Sequence, residues 1–191
     1  MIKILMIILT LNLTTHVKEQ DPIINIAVEN CKKIKPARLK KAKLIAIKLY
    51  HIEQKFNVPK ELKGMLLAAA CLESGFNPNA KGDRKFSKKK KPLAIGILQL
   101  WPWWEHGKWG YKINRKDPAQ SAIAWMTHIK RQLKSVKKMC KPRTKKKLWI
   151  QAWVKAIRFP KPGGRCREKP THLRYLKKMH RIYYKKFNPA L

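Results

Sequence analysis

Acidic side chains are scarce in this sequence. Ten Asp and Glu stand against 46 Lys and Arg, a formal net charge of +36 over 191 residues. That shortage leaves few carboxylates for acid–base chemistry, so each can be weighed in turn. The same imbalance implies an anionic partner: nucleic acid, an acidic membrane surface or an anionic cell-wall polymer. The lysines are spread along the whole chain, so part of the excess reads as a solubilising coat. No compact basic stripe or docking motif is present, which counts against nucleic acid as the partner. Cysteine is limited to Cys31, Cys71, Cys140 and Cys166, without a CxxC pair, so no metal and no cofactor is expected. No internal repeat of solenoid period occurs. The apolar run Ile4 to Leu13 is too short to span a bilayer and, behind Met1-Ile2-Lys3, suits the h-region of a signal peptide. No A-x-A site follows it. Cleavage is therefore placed between Thr14 and Gln20, with residues 1–18 as the signal peptide and an uncleaved anchor as the alternative.

Export makes disulfides possible. Four cysteines allow three pairings. Proximity along the chain favours Cys31–Cys71 and Cys140–Cys166, against the alternative of reduced thiols with Cys71 as a core residue.

The remaining pattern is mainly helical. Ala42, Ile45, Leu49, Ile52 and Phe56 give a helical stripe over 37–56. A second helix is predicted from Pro59 to Ser74, stopped by Gly75. A lysine-rich loop covers 79–92. The apolar segment Leu93 to Leu100 suits a short strand or a helix start, so at most a small β element is expected near 81–100. Asp117, Pro118 and Gln120 read as the capped start of a third helix, with Ala119, Ala122, Ile123, Met126, Ile129, Leu133, Val136 and Cys140 as its stripe. Further helices are predicted over Thr144–Ile157 and from Thr171 to about Phe187. The domain reading is an N-terminal extension over 19–36 and one helical domain over 37–187.

Glu73 is the candidate for acid–base chemistry, against the alternative of a helix-end glutamate that bends out to solvent. Leu62, Leu66 and Ala69 recur at steps of four and three, and Glu73 is the next step of four. A carboxyl group extending an apolar stripe is partly removed from water, and desolvation favours the neutral acid. A neutral acid can protonate a leaving oxygen.

The stretch from Glu73 to Leu100 resembles the soluble lytic transglycosylase family, whose fold is that of goose-type lysozyme. Glu73-Ser74-Gly75-Phe76-Asn77-Pro78-Asn79-Ala80 matches the signature E-S-x-F-x-P-x-A. Ala94-Ile95-Gly96-Ile97-Leu98-Gln99-Leu100 matches the later signature A-x-G-[LI]-[LM]-Q-[LIV]. Asp117-Pro118 opens a helix, as the family often has, and the likeness covers roughly residues 58–135. It implies Glu73 as single acid and base, Ser74 near the glycan or holding the glutamate's surroundings, Gly96 allowing close approach of a sugar, and Gln99 bonding Glu73 or the sugar. The implied activity is that of a peptidoglycan lytic transglycosylase in the bacterial periplasm or secreted, acting as a monomer on glycan strands of the anionic wall.

Asp83, Glu105 and Asp117 are the candidates for a second carboxylate. Asp117 reads as a helix cap and Glu105 as a surface or sugar contact. Lys81-Gly82-Asp83 resembles a Gly-Asp of goose-type lysozymes, which hydrolyse, so a muramidase using Asp83 to position water is one alternative. Those enzymes carry another aspartate just after the second signature, where this chain has Trp101 or Pro102. Trp101, Trp103, Trp104 and Trp109 suit stacking on pyranose rings. The family's Ala-Tyr-Asn motif, whose tyrosine bonds the glutamate, is matched only by Ala156-Ile157-Arg158. Tyr175, Tyr183 and Tyr184 are the available substitutes. His172 and His180 read as solvent-facing or core residues. A non-catalytic basic binder of wall polymer or nucleic acid is the other alternative.

Overall fold

The computed structural model describes residues 21–86, 89, 91–105, 111–157, 166, 170 and 172–187. The signal-peptide reading of 1–18, Trp109, Arg158 and the opening Thr171 lie outside them. The described residues form six α-helices: α1 Pro22–Glu29, α2 Leu39–Gln54, α3 Met65–Ser74, α4 Pro118–Cys140, α5 Lys145–Ile157 and α6 His172–Phe187. A small sheet completes the fold, with β1 Lys81–Gly82 antiparallel to β2 Ala94–Ile95. The protein is therefore mainly α.

The helix expected from Pro59 to Ser74 is split. A single 3-10 turn covers Lys60–Leu62, and α3 starts only after Gly64. The cause lies on α2. Glu53 is buried there, and its carboxylate accepts from the backbone amides of Gly64 (2.5 Å) and Leu66 (2.7 Å). It thus satisfies two donors that a helix start leaves open. Burial pushes the Glu53 carboxyl up to about 7, against the downward pull of those two amides and of the Lys63 charge.

From Met65 to Cys71 every residue of α3 is buried. The expected single stripe is thus replaced by a helix enclosed on all sides, as its unbroken apolar run requires. α1, α2 and α6 pack around it. Ile23, Ile24, Ile26, Ala27 and Val28 of α1 belong to the same core, so the segment read as an N-terminal extension contributes to it. Gly75 ends α3 at φ +60°, and the Phe76 amide reaches back to the Ala70 carbonyl (3.2 Å). A side chain at Gly75 would meet the Lys33 carbonyl oxygen at 2.7 Å.

Asp117 caps α4 as expected, its Oδ1 accepting from Ala119 (2.7 Å) and Gln120 (2.9 Å). The Gln120 side chain instead accepts from the Asn114 amide at 3.0 Å. Ile123, expected on the inner stripe of α4, is 49 % exposed; Trp125 and His128 point inward in its place. Trp149, Ala152, Trp153 and Ala156 give α5 its buried face.

Disulfides join Cys31 to Cys71 and Cys140 to Cys166, the pairs favoured by chain proximity. Such bonds fit an oxidising compartment. Among the described residues no helix is long and apolar enough to cross a membrane.

Candidate active site

Glu73 sits in the last turn of α3, where the chain is about to turn at Gly75. Its neighbour Ser74 ties this turn to the second signature. Ser74 Oγ donates to the Ile97 carbonyl (2.9 Å) and accepts from the Asn77 amide (3.0 Å). One hydroxyl thus brings together two segments 23 residues apart. Of the two roles implied for Ser74, holding the surroundings of Glu73 is the one its bonds perform.

The second signature is a tight loop. Ile95 and Leu100 bridge each other, and the chain between them turns through Gly96 at φ +84° and Gln99 at φ +49°. A Cβ on Gly96 would overlap the backbone carbonyl oxygen of Arg115. Close approach of backbone to backbone is therefore reason enough for glycine here. The Gln99 amide donates to the Gly96 carbonyl (2.9 Å) and so braces the loop from within. Arg115, which sequence reasoning did not single out, clasps this region. Its buried guanidinium donates to the carbonyls of Leu93 (2.6 Å) and Leu100 (2.8 Å) and pairs with Glu105 (2.8 Å). A planar, multiply donating cation suits such a role better than a lysine would.

Each candidate second carboxylate is engaged. Asp117 caps α4, Glu105 pairs with Arg115, and Asp83 Oδ2 accepts the indole N–H of Trp101 at 2.9 Å. The last bond holds the indole of Trp101 in place. Its ring lies in a small aromatic group: Trp103 is 4.9 Å away between ring centres, and Phe86, 61 % exposed, is 6.3 Å away. Trp101 and Trp103 are half-buried. Trp104 is buried against Tyr111 and His128, so of the two adjacent tryptophans it is the core residue.

The side chain beside Glu73 is His172, the first residue of α6. Its Nε2 lies 2.7 Å from Glu73 Oε1 across 99 residues of sequence. The Glu73 side chain is 33 % exposed and that of His172 only 5 %. The Glu73 side chain is thus partly exposed, with Oε1 held against the imidazole. Tyr175 is elsewhere: its hydroxyl donates to the Ala27 carbonyl at 2.8 Å, and burial holds the phenol well above its usual range. Tyr183 and Tyr184 lie edge to face near the end of α6. His180 donates from Nε2 to the Lys63 carbonyl at 2.7 Å, a structural bond.

A signal for His172 was present in the sequence. His172, Leu176 and Met179 follow steps of four and three on α6, and all three are buried. A polar residue in register with an apolar stripe is also the pattern read for Glu73, there at the far end of the stripe. Among the described residues no group of His, Cys, Asp and Glu could hold a metal ion. Comparison of the chain with protein-family models, with curated proteins and with solved structures found no match.

Proposed function

We propose that this protein is an exported peptidoglycan lytic transglycosylase of lysozyme-like fold. The observation that carries the reading is the Ser74–Ile97 hydrogen bond, which joins the two sequence signatures beside Glu73. Glu73, as the acid, protonates the oxygen bridging MurNAc and GlcNAc. The C1–O bond breaks, and positive charge develops at the anomeric carbon. Glu73, now a carboxylate, takes the proton from the C6 hydroxyl of the same MurNAc. That oxygen closes onto C1 and gives the 1,6-anhydro end. The attack is intramolecular, so neither an enzyme nucleophile nor a positioned water is needed. Ordinary glycosidases use two carboxylates. The engagement of Asp83, Glu105 and Asp117 in other bonds favours the one-carboxylate route.

The aromatic group of Phe86, Trp101 and Trp103 supplies apolar faces for sugar rings. The cationic surface aids encounter with the peptide carboxylates of the wall. The test is mass spectrometry of sacculi digested by the wild type and by Glu73→Gln. The wild type is expected to release anhydro-muramic ends, and the variant to bind sacculi without releasing any. Reducing ends would instead assign hydrolysis through Asp83. Binding without any release by the wild type would mark a non-catalytic wall binder.

A further inference from the structure

The ring of His172 is held more firmly than a packing residue requires. It lies parallel to the indole of Trp153, with 7° between the planes and 5.8 Å between ring centres. Trp153 is fully buried in turn. One imidazole nitrogen, Nε2, meets Glu73 Oε1. The other, Nδ1, is buried and has no hydrogen-bond partner among the described residues.

These facts define a proton inventory. A proton on Nδ1 would bury an N–H donor without an acceptor, and that is costly. A bare Nδ1 buries only a lone pair. The ring proton therefore belongs on Nε2, which can then donate to a carboxylate oxygen.

We propose that His172 is a positioning residue for Glu73: a neutral imidazole whose Nε2–H donates to Oε1, fixes the plane of the carboxyl group and leaves Oε2 to face the substrate. The proposal rests on the transglycosylase reading for its catalytic consequence. His172 keeps its own proton throughout. One proton leaves Glu73 for the bridging oxygen as the C1–O bond breaks. One returns from the C6 hydroxyl as the bond from C1 to that oxygen forms. The imidazole supplies a hydrogen bond that strengthens while Glu73 is anionic, because bonds to charged acceptors exceed those to neutral ones.

Two substitutions separate this role from simple packing. His172→Phe retains a ring against Trp153 and removes the donor; His172→Gln restores an amide donor. On uncrosslinked glycan strands His172→Phe should lower kcat by roughly 10- to 100-fold with KM little changed, and His172→Gln should recover most of the loss. A Phe variant turning over at the wild-type rate, or a Gln variant no better than Phe, would overturn the proposal. An independent reading comes from imidazole ¹⁵N NMR of the intact protein. His172 should show a protonated Nε2 and a bare Nδ1, with the Nε2–H signal moving in Glu73→Ala. A proton on Nδ1, or a signal indifferent to Glu73→Ala, refutes the arrangement even if the wild type cleaves no glycan. Absence of anhydro ends from the wild type, with the NMR signature intact, would instead sink the transglycosylase reading alone.

Discussion

Replacing Glu53 by Gln should change how the stability of this protein depends on pH. Burial raises the folded-state value of the Glu53 carboxyl from 4.5 to about 7. Between those limits the folded chain holds a proton that the unfolded chain has released, so stability falls as pH rises through the window. At about 1.4 kcal/mol per pH unit the total loss is about 3 kcal/mol. His128 works in the opposite direction. Burial first, then the charges of Arg131 and Lys155, push it from 6.5 down to about 4, so its contribution rises with pH between those values. The two slopes offset each other over the shared range, and Glu53→Gln uncovers the rising one. Gln also presents an NH₂ group to one of the two amides that Glu53 now satisfies. An unsatisfied buried donor costs about 1–3 kcal/mol, largely independent of pH. The stability gap between Glu53→Gln and wild type should therefore shift by about 3 kcal/mol, in favour of the variant, from pH 4.5 to pH 7.5. Urea unfolding with disulfides intact, extrapolated linearly to water, measures it. A gap that stays constant within about 1 kcal/mol across that range would refute the assigned burial effect.

Gly96→Ala should lower stability by about 2–4 kcal/mol, because the new methyl meets the Arg115 carbonyl in a left-handed backbone. A melting temperature within about 2 °C of wild type would contradict this. Asp83→Ala frees the Trp101 indole. KM for glycan strands should rise roughly 3- to 10-fold while the products keep anhydro ends, whereas collapse of kcat would give Asp83 a part in the chemistry. The double variant Cys31→Ala/Cys71→Ala opens a loop of sequence separation 40. Chain entropy puts the loss at about 4 kcal/mol in the unfolding free energy, and equal denaturation midpoints for variant and wild type would exclude it.

Local signals in the sequence carried much of this fold. Helical periodicity found α2, α4, α5 and α6, and the Asp117 cap and the Gly75 stop are where their chemistry places them. What escaped depends on partners distant in sequence. The break before α3 is imposed by Glu53 from another helix. Ile123 fits the period of α4 as well as Trp125 does, and only packing distinguishes them. At the site, Glu73 and the two signatures were legible, but their meeting through Ser74 was not. Gly96 was legible as a required glycine, but its cause, the Arg115 backbone, lies in a segment of no marked pattern. His172 is the clearest case, since 99 residues separate it from Glu73 and no local pattern pairs the two.

The helix that carries Glu73 is secured at both ends. Glu53 grips its first amides; near its last turn Cys71 is bonded to Cys31, Lys33 Nζ donates to the Leu72 carbonyl, and Arg38 donates to that of Gly75 at 3.0 Å. An acid on so fixed a mount does not travel to its target. On the proposed reading the glycan strand must come to the carboxyl with one linkage seated over it. The position of each cut is then decided by the contacts that seat the strand, and a redesign of cutting position should begin with those contacts and leave this mount untouched.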